Sequence, residues 1–200
     1  MMKKFVITIG REFGCNAREI GRQVAAGLGV HFYDKELVDL AARRSGVNEE
    51  YYSKSDEEAV MHDSFYTEFG YGATPAFYSA KAIESQAWVI RDLANKEPCV
   101  MLGRCSDYIL SEFDNVLNVF VFASLPFRID HISEAYGQEP KKAAKMISKI
   151  DSKRHAYYKF VTGHNRGDRN VRNLMIDVEM FGVDGSVELI RKAANVRFGI

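Results

Sequence analysis

Residues 5–9, Phe-Val-Ile-Thr-Ile, form a run rich in β-branched side chains that Gly10 interrupts. A short run of this kind, bounded by a turn signal, predicts a strand covered on both faces. After a polar turn, AREIGRQVAAGLG places Ile20, Val24 and Leu28 at helical spacing, and Gly27 and Gly29 close that helix. HFY (31–33) predicts a short strand and KELVDLAARRSG (35–46) a second amphipathic helix. Residues 48–78 mix Tyr, Phe, Gly and acids with no clean period, whereas SAKAIESQAWVIRDLANK (79–96) predicts a long helix. PCVMLG (98–103) and VLNVFVFA (116–123) are nearly continuous apolar runs, hence two further buried strands. From 126 to 165 the pattern is helical, with Pro140 opening a new helix. NLMIDV (173–178) and VDGSVELIRKAANVRF (183–198) predict a last strand and a last helix. Strands alternating with helices imply one α/β domain on a mainly parallel five-stranded sheet.

Composition narrows the function classes. The 200 residues carry 27 Lys plus Arg and 27 Asp plus Glu, so the net charge is zero and the pI is about 7.0. That argues against a nucleic-acid coat or a polybasic membrane binder. The charges are not evenly spread, however. Residues 48–68 hold seven acids and one lysine, while residues 126–172 hold eleven Lys or Arg and five acids. No apolar run approaches the ~18 residues of a membrane span. The N-terminal apolar stretch is too short for a signal-peptide core. Cys15, Cys99 and Cys105 are odd in number and form no CxxC pair, so neither a disulfide framework nor a zinc site is expected. A cytoplasmic protein is the expectation.

The turn after the first strand carries the first candidate chemistry. A buried strand entering a glycine-containing turn and then a helix is how α/β proteins present backbone N–H groups to an anion. The turn, Gly10-Arg11-Glu12-Phe13-Gly14-Cys15-Asn16-Ala17-Arg18-Glu19, matches neither GxGxxG nor GxxxxGK[ST]. Spacing alone leaves two readings open: an anion cradle, or an ordinary strand-to-helix turn. The lack of GxGxxG speaks against a dinucleotide-dependent oxidoreductase.

Three segments in order resemble a known family. ITIGREFGCNAREIGRQVAAGLGVHFYDKELV is similar to the opening of the cytidylate kinase-like family, a divergent branch of P-loop nucleoside monophosphate kinases. VMLGRCSDYIL resembles its GRG-containing strand end, and KMISKIDSKRHAYYKFVTG its D-x-x-R-x-x-Y-Y-x-x-x-T-G stretch. The resemblance implies a P-loop NTPase-type three-layer fold with a helical lid over 126–170 and an acceptor-side insertion over 48–78. It implies a phosphate loop of Arg11, Gly14, Cys15, Asn16, Ala17, Arg18 and Glu19. In that loop the position of the usual lysine falls on Ala17, and that of the magnesium-binding Ser or Thr on Arg18. Asn16 tolerates a positive φ better than most residues, so the loop can keep its shape.

The resemblance also distributes roles. Asp34 and Arg104 would contact the acceptor nucleotide; Asp34 equally suits the cap of the helix that follows it. Cys105 replaces the acid of the family's strand-end motif, and Asp107 is a partial substitute. Arg154, Arg128 and Arg18 are the arginines expected to stabilise a transferring phosphoryl group. Within residues 48–78, Tyr66, Phe69, Tyr71, Phe77 and Tyr78 either stack on a base or pack together, and the acids form a solvated face rather than a metal site. The expected activity moves the ATP γ-phosphoryl to CMP or a related nucleotide, with Mg2+ carried mainly on the nucleotide's phosphates. No nucleic-acid or membrane partner is expected, and a homodimer is allowed. The altered loop leaves a second reading open, a nucleotide-binding sensor or partner-binding protein without efficient transfer.

Overall fold

The computed structural model describes residues 4–45 and 80–200. The apolar run after Lys4 forms strand β1 (Val6–Arg11), and its four leading residues are buried. It lies at the centre of a five-stranded sheet because strands buried on both faces occupy central positions. β1 pairs on one side with β3 (Cys99–Leu102) and on the other with β4 (Val116–Phe122). β2 (His31–Tyr33) lies outside β3, and β5 (Leu174–Asp177) lies outside β4. The order is β2-β3-β1-β4-β5 and every pairing is parallel. The expected mainly parallel sheet is thus wholly parallel.

Residues alternate between two cores on either side of the sheet. Ile7, Ile9, Val100, Leu102, Val119, Val121 and Ile176 face α1 (Ala17–Leu28) and a C-terminal helix (Val178–Phe198). Val6, Cys99, Met101 and Val116 face α2 (Glu36–Ser45), α3 (Ala80–Lys96), the short α4 (Ser106–Ile109) and Tyr158. The layers are therefore helix, sheet and helix. Gly21 lets α1 approach β2 closely, since a Cβ there would lie 2.5 Å from Phe32 Cε2.

Two helices follow β4. α5 (Leu125–Tyr136) is capped by Ser124, whose Oγ accepts from Phe127 N, and Pro126 sits in its first turn. α6 (Pro140–Thr162) opens on the expected proline and ends at Gly163. A third cluster joins both helices to the first βα turn: Phe13 packs with Ile132, Ala143, Ile147 and Ile150. The last helix, α7 (Val178–Phe198), starts five residues before the expected Val183. Its opening turn is capped by the Asp177 carboxylate on Glu179 N, and its axis breaks at Gly182. Residues 48–78, with their acids and aromatic side chains, lie outside the described residues.

Candidate functional site

Between β1 and α1 the backbone makes a tight loop over residues 12–16. Gly14 has φ +90°, and its missing Cβ matters, since one there would lie 3.1 Å from Arg128 Cβ and 3.3 Å from its carbonyl oxygen. Asn16 sits in the left-handed region at φ 53°, as its side chain permits, and makes no side-chain capping bond to α1. The helix starts with its first turn uncapped by its own cap residue, an arrangement that directs backbone N–H groups at an anion. Cys15 and Ala17 turn their side chains into the core. Burial, with Glu12 nearby, pushes the Cys15 thiol up to about 12, so it is no nucleophile. The Glu19 carboxylate accepts from Arg22 at 2.7 Å and Gln23 at 3.0 Å along the helix. What Gly14, Cys15, Ala17 and Glu19 offer a ligand is backbone. The loop encloses a cradle of about 200 Å³, completed by Arg22, His131 and Tyr136.

The tip of the loop is tied to α5 and α6 through one carboxylate. Asp151 accepts from Phe13 N at 3.0 Å, from Arg128 Nη1 at 2.6 Å and from Arg166 Nη2 at 2.7 Å. Arg128 Nη1 also donates to the Phe13 carbonyl at 3.2 Å, and Arg166 Nη1 to that of Arg11 at 2.7 Å. Glu12 lies 3.5 Å from Arg128 Nε and accepts from Ala123 N. Arg154 places its guanidinium carbon 5.6 Å from the centre of the Phe13 ring. Two of the expected transfer arginines, Arg128 and Arg154, are thus brought to the β1–α1 loop. The Asp151–Arg154 pairing of the motif divides its work: Asp151 holds other arginines.

The third, Arg18, turns toward β2. Its Nε donates to Asp34 Oδ2 at 2.6 Å, so two residues expected on opposite sides of the site are partners.

On the acceptor side, the chain leaves β3 through three successive left-handed residues, Gly103 (φ 71°), Arg104 (φ 59°) and Cys105 (φ 55°). For Arg104 and Cys105 this costs about 1–2 kcal/mol each. A Cβ on Gly103 would collide with Arg11 Nη1, so that glycine gives the Arg11 guanidinium its place. The Arg104 carbonyl accepts from Gln86 Nε2, which also reaches the Tyr157 hydroxyl. Cys105 is buried and its thiol is raised by that burial, in keeping with a packing role. Asp107, offered as a partial substitute for the motif acid, is buried, accepts from the Tyr158 hydroxyl at 2.7 Å and pairs with Arg172, whose side chain has almost no exposed surface.

Sequence reasoning missed Arg166 and His131 as neighbours of the loop, and gave Glu12, within the turn, no role of its own. Arg166 lies in a loop after α6, where no periodicity singles it out; its only signal was the excess of basic residues over 126–172. Beyond Glu12, a wider hollow of about 650 Å³ opens between α6 and the β4–β5 edge. Phe120, Phe122 and Met175 form its floor, with His155 and Arg166 at the rim.

A comparison with curated proteins gives no match. Among solved structures, the chain is similar to an uncharacterized protein from Eubacterium ventriosum ATCC 27560. They share 25% identity and a TM-score of 0.75, over 97% of this chain and 99% of that one. It shares its fold with a shikimate kinase from Bacteroides thetaiotaomicron (14% identity, TM-score 0.54, 94% and 97% covered). A gluconokinase from Sinorhizobium meliloti 1021 has the same fold (16% identity, TM-score 0.56, 98% and 97% covered). The profile of the cytidylate kinase-like family matches residues 6–180, which run from the first residue of β1 into the opening turn of α7. The chain belongs to the cytidylate kinase-like family.

Proposed function

We propose that this protein is a phosphotransferase moving the γ-phosphoryl of ATP to CMP or a closely related nucleoside monophosphate. One observation carries the reading: a left-handed, uncapped loop at the end of the central strand, with Arg128, Arg154 and Arg166 converging on its tip. Phosphoryl transfer asks little covalent chemistry of a protein; positioning and neutralisation of charge supply the rate. An acceptor phosphate oxygen attacks the γ-phosphorus as the bond to the β–γ bridging oxygen breaks, and charge spreads over the equatorial oxygens. Backbone N–H groups of residues 14–19 would hold the donor's phosphates, with Arg11 and Arg18 beside them. α5 and α6 would act as the lid that excludes water and brings Arg128 and Arg154 to the transferring group. Arg104 and Asp34 would face the acceptor. The apolar floor of the hollow beyond Glu12 suits the base of a nucleotide.

Magnesium would travel on the nucleotide's phosphates. Among the described residues, no three His, Cys, Asp or Glu side chains are grouped to hold a metal ion. Three free, buried cysteines suit a reducing, cytoplasmic setting, and no described helix is long and apolar enough to cross a membrane. Exposed Phe181, Leu189 and Val196 along α7 are compatible with a homodimer, which sedimentation would test.

The test is ATP-dependent phosphorylation screened over nucleoside monophosphates, with Arg154→Ala alongside. Loss of one transition-state cation is expected to lower the rate by about 10²–10³-fold; an unchanged rate removes Arg154 from the mechanism. A second reading is binding without transfer. It is favoured by Arg128 and Arg166 being held on Asp151 and Arg18 on Asp34. Calorimetric binding of ATP or CMP with no turnover would select it.

A further inference from the structure

A carboxylate is out of place in a loop that offers its backbone to anions, and Glu12 puts one there. It stands where two spaces meet. It lines the cradle of about 200 Å³ beside the loop, and also the hollow of about 650 Å³ floored by Phe120, Phe122 and Met175. Among the described residues no other belongs to both walls. The side chain is loosely held. Asp151, which shares Arg128 with it, takes its three bonds at 2.6, 2.7 and 3.0 Å. Glu12 lies 3.5 Å from Arg128 Nε and 3.4 Å from Ala123 N. Both contacts are made by Oε2, and among the described residues Oε1 accepts no hydrogen bond. The side chain is 32% exposed, so a ligand can reach it.

The order of parts in a nucleotide says what meets that oxygen. Phosphates and base lie at opposite ends, with the pentose between them. A nucleotide with its phosphates in the cradle and its base on the apolar floor therefore carries its pentose past Glu12. Pentose hydroxyls are neutral hydrogen-bond donors, and an ionised carboxylate has only acceptors to offer. Phosphate oxygens, by contrast, are repelled by it. Glu12 thus opposes a bare polyphosphate and favours a ligand that brings a hydroxyl to its free oxygen.

We propose that Glu12 determines the sugar specificity of the donor site. Its Oε1 accepts from a ribose hydroxyl while Oε2 stays on Arg128 and Ala123, and the site thereby selects a ribonucleoside triphosphate over a deoxy counterpart. The inference rests on the reading of loop and hollow as one donor site, and goes beyond it by naming the sugar and the residue that reads it.

The experiment is calorimetric titration of the full chain, in excess MgCl2, with ATP, 2′-deoxy-ATP, 3′-deoxy-ATP and inorganic tripolyphosphate. A hydrogen bond to a charged acceptor is among the stronger ones, so the wild type should bind ATP at least about tenfold more tightly than one of the two deoxy analogues. Glu12→Ala should bind ATP and that analogue within about twofold of each other, and tripolyphosphate no more weakly than the wild type does. Glu12→Gln keeps a neutral acceptor oxygen and should retain about threefold of the preference. Thermal melts establish which variants are folded; if Glu12→Ala is not, Glu12→Gln decides. Wild-type affinities for ATP and both analogues within about twofold overturn the proposal and leave the nucleotide site standing. A wild-type preference that persists undiminished in the folded variant also overturns it. So does a variant that loses tripolyphosphate as severely as ATP, since the side chain then only shapes the loop. No binding of ATP overturns the proposal and the donor site together.

Discussion

Asp151 illustrates how one carboxylate can set the shape of a site. Its two oxygens receive a backbone N–H from the loop and two guanidinium groups, and Arg128 and Arg166 have side chains only 10% and 13% exposed. Burial pulls the Arg166 guanidinium below its usual range even with Asp151 beside it. Asp151→Asn preserves size but removes the charge that both arginines face. It should cost about 2–4 kcal/mol, since it leaves buried cations uncompensated. For a chain of this length that is a fall of roughly 5–15 °C in Tm, read by calorimetry. His131, on the wall of the cradle, is shifted below its ordinary value of 6.5 by burial. The unfolded chain therefore takes up this proton first, so the residue's contribution to stability is full at neutral pH and erodes as pH falls below about 6.5. A bound phosphate would oppose that shift. Affinity for ADP should rise more steeply between pH 7.5 and 5.5 in the wild type than in His131→Gln, and equal slopes would dissociate His131 from the ligand.

At the level of elements, the left-handed turn after β3 has a defined mechanical task. It lets the chain leave the strand beside β1, with Gly103 N donating to the Ile9 carbonyl, while leaving room for Arg11. Gly103→Ala combines an unfavourable φ with a collision against that guanidinium. The expected loss is about 1–3 kcal/mol, with weakened phosphate binding, seen in parallel melts and titrations. The same elements show what a sequence can disclose. β1, β3 and β4 were legible because strands covered on both faces need uninterrupted β-branched and aromatic runs. α6 was legible from Pro140, and the loop's position from Gly10 and Gly14. The early start of α7 was not: its first turn is followed by a break at Gly182 that erases the helical period, and Asp177 caps it by geometry rather than by pattern. The site's partnerships were equally hidden. Arg166 and Arg11 lie 155 positions apart and Arg128 and Asp151 lie 23 apart, and no local period encodes such pairs. Arg18 lies in the first turn of α1, and its turn toward Asp34 depends on how α1 packs beside β2.

Across the whole molecule, neutrality conceals a division. The eleven Lys and Arg against five acids between 126 and 172 lie on α5, α6 and the segments that lead to β5. A field of that sign should steer phosphorylated ligands toward the cradle. Stopped-flow association of a fluorescent ADP analogue should slow several-fold between about 20 mM and 300 mM salt, as the Debye length contracts. Dissociation should respond less, because the Arg128 and Arg166 side chains beside the loop are mostly buried.

The ties on the β1–α1 loop also bear on the order in which the protein is made. β1 and the loop leave the ribosome before the segments that hold them: β1 pairs with strands that begin at Cys99 and Val116, and the loop's tip is held by Arg128, Asp151 and Arg166. A growing chain that stops short of Arg166 has synthesised every residue of the cradle's floor and lacks part of what gives it shape. The loop is made well before the residues that fix its shape, so its folding waits on theirs.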